Sequence, residues 1–105
     1  MNFQQKIEEV WSNFGPELLE ICKLDVFEIY GSRAELIAQC YLTISDIKFY
    51  EINNQLIIIF NEYDYLNAFL KEKFKYNLDE KWIELYSTLG RIYKLKFQEN
   101  INYGD

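Results

Sequence analysis

The first apolar positions, Phe3, Ile7, Val10, Trp11 and Phe14, recur at i, i+4, i+7, i+8 and i+11. That spacing gathers them on one face of a helix over residues 3–14, with Glu8, Glu9 and Ser12 elsewhere on the wheel. Gly15 and Pro16 supply a stop and a restart, because glycine accepts the left-handed conformation at a helix end and proline suits the first turn of the next helix. A second short helix over residues 16–23 follows, with Leu18, Leu19 and Cys22 inward.

The pattern changes at Asp25. Val26, Phe27, Ile29 and Tyr30 are β-formers that close at Gly31, which predicts a strand. Over residues 32–44 two signals compete. Ser32 and Glu35 form an S-x-x-E capping box, the mark of a helix starting at Arg33. Against it, Ala34, Leu36, Ala38, Cys40, Leu42 and Ile44 alternate with their neighbours at a strand's period, and this longer signal is taken as a strand. Ser45 and Asp46 make a turn, residues 47–52 and 55–60 read as strands, and Asn53-Asn54 between them suits a two-residue hairpin. Residues 56–60 are apolar on both faces, so this strand is expected to be central and covered on both sides.

Two helices are expected next. The first starts at Asn61 or Tyr63 and carries Leu66, Phe69, Leu70 and Phe74; Asp79 then caps a second with Trp82, Ile83, Leu85, Tyr86 and Leu89, ended by Gly90. Residues 91–97 alternate as a final edge strand whose lysines discourage edge pairing, and residues 98–105 read as a frayed tail. The expected fold class is α+β: an antiparallel meander of about four strands, with two helices before it and two after. Trp11 and Trp82 are its expected core anchors. At 105 residues the chain has the length of one domain, and 50% apolar residues supply material for one core.

Charge narrows the partners. The chain has 11 Lys and Arg against 17 Asp and Glu, a net charge of −6. Residues 1–70 hold 11 acids and 4 bases, whereas residues 71–105 hold 6 acids and 7 bases, so the acidic field belongs to the first two thirds. Nucleic acid and anionic membranes are disfavoured, because affinity for both comes largely from clustered Lys and Arg. A basic protein is favoured as partner.

Catalytic and metal chemistry find little support. With no histidine, Ser-His-Asp and Cys-His arrangements are excluded, and Cys22 and Cys40 alone do not make a zinc site. The four glycines lie too far apart for a phosphate-cradling loop. Carboxylate pairs such as Glu51 with Glu62, or Glu62 with Asp64, arise readily by chance among 17 acids. No cofactor, metal or catalytic residue is expected. The N-terminus has no apolar signal-peptide core, and the longest apolar run, residues 56–60, is far short of the ~20 needed to span a bilayer. A cytoplasmic protein with reduced, buried thiols is the expectation.

The segment Asn61-Glu62-Tyr63-Asp64-Tyr65 alternates carboxylates with tyrosines. Tyrosine gives rigid contact area with a polar tip, and carboxylates accept the paired bonds of arginine, so Glu62, Tyr63, Asp64 and Tyr65 are the candidate partner-binding residues. The bland alternative is an acidic helix start with tyrosines at the rim of the core. Lys71, Lys73 and Lys75 read as a solvated helix face.

In general character, a small acidic aromatic-rich chain without catalytic residues, the sequence resembles the immunity proteins that bacteria pair with nuclease toxins, including those of contact-dependent growth inhibition and bacteriocins. The resemblance implies stoichiometric occlusion of a cognate toxin, with acidic side chains meeting its substrate-binding cations. A phage-encoded inhibitor that imitates nucleic-acid charge and an accessory subunit of a housekeeping assembly are the alternatives.

Overall fold

A computed structural model describes residues 2–14 and 21–97. It contains one α-helix, α1 (Phe3–Asn13), and seven strands: β1 (Ile21–Tyr30), β2 (Arg33–Thr43), β3 (Ile47–Ile52), β4 (Gln55–Phe60), β5 (Ala68–Asn77), β6 (Trp82–Ser87) and β7 (Arg91–Phe97). All pair antiparallel in one sheet of order β2-β1-β7-β6-β5-β4-β3, curved into a half-barrel. The expected α+β architecture is therefore overturned: the described chain is mostly sheet.

Helix α1 forms where its apolar stripe requires. The Asn2 side chain accepts the Gln5 backbone N–H at 2.8 Å and the Gln5 side chain accepts that of Asn2 at 2.9 Å, a reciprocal cap. Ile7, Val10 and Phe14 are buried against the concave face of the sheet. Trp11 meets Phe49 and Phe97 edge-on, with ring centroids 5.9 and 4.7 Å apart, and Phe3 meets Phe74 at 5.7 Å. The core beneath consists of alternate residues of each strand: Cys22, Leu24 and Val26; Leu56, Ile58 and Phe60; Ile83 and Leu85; Tyr93, Leu95 and Phe97.

The strands expected over residues 25–60 are present as β1 to β4, and the Asn53-Asn54 hairpin turn has both residues in the left-handed region, at φ 51 and 64°. They do not form a meander, however. β2 and β3, consecutive in the chain, occupy opposite edges of the sheet. A short 3-10 turn, Ile44–Asp46, joins them. The Asp46 carboxylate accepts from the Thr43 hydroxyl at 2.8 Å and the Thr43 N–H at 3.3 Å, and its backbone carbonyl accepts the Asn61 N–H at 2.8 Å. The Thr43 hydroxyl is the main reason that the Asp46 carboxyl titrates below its ordinary value; the Thr43 backbone N–H and the Asn61 side-chain amide, 3.4 Å from the carboxylate, add to it. β4 is covered on one face only: Ile57 and Ile59 are half-buried on the convex side.

Both expected C-terminal helices are strands. Leu66, Leu70 and Phe74 mimic a helical stripe, but a register irregularity between Leu70 and Phe74 sets both opposite inward residues of β6, Ser87 and Leu85. In β6 the alternation is masked because its outward residues Trp82 and Tyr86 are aromatic; Lys94 and Lys73 lie over those rings at 4.7 and 4.8 Å. Trp82 is thus half-buried on the outer face and is no core anchor, Asp79 sits in the β5–β6 turn rather than capping a helix, and Lys71, Lys73 and Lys75 are exposed on a strand. The helix expected over residues 16–23 falls partly outside the described residues, and Ile21, Cys22 and Lys23 open β1; the expected tail, 98–105, lies wholly outside them. In residues 32–44 the strand prevails, with Glu35 paired to Arg33 at 3.3 Å instead of capping a helix.

The register sets Cys22 opposite Leu42 and Cys40 opposite Leu24, so the two sulfurs belong to different rungs of the β1–β2 ladder. Cys22 is buried and Cys40 partly so, and burial raises the Cys40 thiol above its ordinary value, with the nearby Asp25 charge adding to the effect. No helix among the described residues is long and apolar enough to cross a membrane.

The two tryptophans should separate in a denaturation experiment. Trp11→Ala removes a ring packed between Phe49 and Phe97 and is expected to cost roughly 3 kcal/mol. Trp82→Ala loses outer-face packing and a cation contact, and is expected to cost about 1 kcal/mol. Urea midpoints of the two variants check the order.

Candidate functional site

Three segments meet at one end of the half-barrel: residues 61–67 between β4 and β5, the turn 88–90 between β6 and β7, and the outer part of β1. Together they enclose an open cavity of about 380 Å³ with Glu28, Tyr65, Ser87, Leu89, Arg91 and Tyr93 among its lining residues.

Backbone bonds shape the 61–67 segment. Glu62 takes a left-handed conformation at φ 68°, turning the chain after β4, and a 3-10 turn at Asp64–Leu66 follows. The Tyr63 N–H bonds the Phe60 carbonyl at 3.2 Å, the Leu66 N–H bonds that of Tyr63 at 2.9 Å, and the Asn67 side-chain oxygen accepts the Phe60 N–H at 2.8 Å. Leu66 is buried, and its carbonyl accepts the Tyr93 hydroxyl at 2.7 Å from the floor of the cavity. Burial raises the Tyr93 phenol above its ordinary value, against the opposing pull of the Arg91 guanidinium.

The four candidate residues share this segment but not one role. Tyr63 is half-buried and packs against the core, while Glu62 and Asp64 are exposed. Of the four, Tyr65 alone lines the cavity; its ring lies edge-on to Tyr63 with centroids 6.3 Å apart and is 70% exposed.

The remaining lining residues went unrecognised in the sequence. Leu89, expected on the buried stripe of a helix, stands at the tip of the β6–β7 turn and is 88% exposed. Gly90 at φ 84° makes that turn possible, a conformation that side chains with a Cβ rarely adopt. Ser87 is 2% exposed, and its Oγ accepts the Arg91 N–H at 2.9 Å and the Leu89 N–H at 3.3 Å. Arg91 and Glu28 face each other across the β1–β7 ladder. Arg91 donates to the Tyr65 carbonyl at 3.4 Å, and Glu28 accepts the Tyr30 hydroxyl at 2.6 Å, which raises the Tyr30 phenol above its ordinary value.

A second groove of about 380 Å³ lies beside the start of α1, between Phe3, Glu51, Gln55 and Lys71, and holds no fully buried polar side chain. Among the described residues no three Asp, Glu or Cys side chains converge as metal ligands. The chain matches no family model, no curated protein and no solved structure.

Tyr93→Phe tests how the cavity floor is held. Removing the hydroxyl leaves the Leu66 carbonyl without its donor, with an expected loss of about 1–3 kcal/mol. A urea midpoint equal to that of the unaltered protein would show that this bond does not fix the segment.

Proposed function

We propose that the protein is a cytoplasmic inhibitor that binds a basic protein partner, an immunity protein occluding the active site of a cognate nuclease toxin, and that it docks through the open end of the half-barrel. One observation carries this reading. The two most exposed large apolar side chains among the described residues, Leu89 and Tyr65, line the same cavity, beside Arg91. An exposed tyrosine and a half-buried arginine around a concave centre have the composition of binding hot spots, and an exposed leucine at a turn tip gains nothing from folding. Glu62 and Asp64 lie on the same segment as Tyr65, so the aromatic anchor comes with carboxylates able to receive arginine or lysine from a basic partner.

The net charge of −6 adds long-range steering, which speeds encounter with a basic protein and weakens as salt rises. An accessory subunit is the second reading, supported by the edge strand β2, where Leu36, Ile37 and Tyr41 are exposed.

Binding kinetics against the captured partner, at low and high salt, test the proposal. Association is expected to slow with salt, and further when Glu62→Gln and Asp64→Asn are combined. Tyr65→Ala or Leu89→Ala is expected to raise the dissociation rate about thirtyfold, the mark of an anchor. A salt-independent association rate, with all four substitutions silent on folded protein, would rule out this face and favour the subunit reading.

A further inference from the structure

The docking proposal leaves two polar residues of the same cavity, Ser87 and Glu28, without a role. Ser87 is 2% exposed and lines the cavity; its oxygen accepts two backbone N–H groups, yet its own proton has no acceptor among the described residues. A buried hydroxyl with an unused donor is uncommon in a folded protein. Beside it in the lining is Arg91, with one N–H on the Tyr65 carbonyl at 3.4 Å and further donors in its planar fork. Two donors in one partly enclosed space suit a carboxylate.

Glu28 gives the second half of the ligand. Its Cα is paired with that of Arg91 in the β1–β7 ladder, where opposite charges ordinarily close into an ion pair. Here the carboxylate turns to the Tyr30 hydroxyl and the guanidinium to the Tyr65 carbonyl, and the only ion pair within 4.0 Å among the described residues is Arg33 with Glu35. The cavity thus presents a cation with a neutral donor, and separately an anion. Ala68, Tyr65 and Leu89 add apolar surface. The volume of about 380 Å³ is at the small end of the range of roughly 300–1,000 Å³ found for ligand sites.

We infer that this cavity binds a free α-amino acid with an apolar side chain. Its carboxylate meets Arg91 and the Ser87 hydroxyl, its ammonium meets Glu28, and its side chain lies against Tyr65 and Leu89. A bare carboxylate would leave Glu28 facing a like charge, and a bare amine would do the same to Arg91. Only a ligand bearing both charges satisfies both walls.

Isothermal titration of the intact protein tests this without any partner, so its failure is separate from that of the inhibitor reading. The probes are L-leucine, N-acetyl-L-leucine, which lacks the ammonium, and L-leucinamide, which lacks the carboxylate. Leucine is expected to bind saturably, and each blocked form about tenfold more weakly, the loss of one charge-assisted contact. Arg91→Gln is expected to weaken leucine by the same factor while the protein stays folded by circular dichroism. In Glu28→Gln, leucine and N-acetyl-leucine should bind alike. No saturable binding of leucine, or equal binding of leucine and its N-acetyl form by the unaltered protein, would overturn the assignment.

Discussion

Three residues join the two outermost strands of a seven-stranded sheet, and the remaining architecture follows from that connection. With strands about 4.8 Å apart, the edges of a flat seven-stranded sheet would lie roughly 29 Å from each other. The four chain steps from Thr43 to Ile47 reach at most about 14 Å. The sheet must therefore curl until β2 and β3 approach at that point, and the Asp46 contacts to Thr43 and Asn61 fasten the join. A sheet so curled has a concave face too narrow for a second sheet, and the amphipathic helix α1 fills it with Ile7, Val10, Phe14 and Trp11.

Curvature also creates the mouth. Glu28 and Arg91 are opposite each other only because β1 pairs with β7, its far neighbour in sequence, and the turn carrying Leu89 lies beside the segment carrying Tyr65 only because β4 to β7 run as a meander. Strands place the polar groups on the cavity walls, while turns carry the exposed anchors, in the usual division between scaffold and contact surface. The proposed docking surface and the proposed amino-acid pocket share Tyr65, Leu89 and Arg91 in one cavity, so a partner seated there would cover the bound amino acid.

Legibility in the sequence followed the physics of one-sided burial. Helix α1 and strand β2 were readable because their apolar residues keep a single period, and β3 and β4 because Asn53-Asn54 separates two β-forming runs, whereas the first residues of β1 read as the end of a helix. β5 and β6 were not: the irregularity between Leu70 and Phe74 breaks a period of two, and Trp82 and Tyr86 put aromatic mass on the wet face, so both strands carry a helix-like stripe. Strand order was hidden for another reason. Local pattern carries no information about which edges meet, and the habit of pairing consecutive strands fails where Ile44–Asp46 crosses between edges. Of the site, Tyr65 was accessible from its acidic and aromatic setting. Ser87, Leu89 and Arg91 were hidden inside a misread helix and a strand taken for an edge, although the Thr88-Leu89-Gly90 run between two β-forming segments is a turn signal.

The pairing of β1 with β7 carries both the closure of the core and the placement of Glu28 against Arg91. Proton–proton contacts between strands, mapped by NMR on isotopically labelled protein, measure it directly. The account predicts backbone contacts between Leu24 and Leu95, Val26 and Tyr93, and Glu28 and Arg91. Contacts from β1 to β2 alone, with none to residues 91–97, would contradict it.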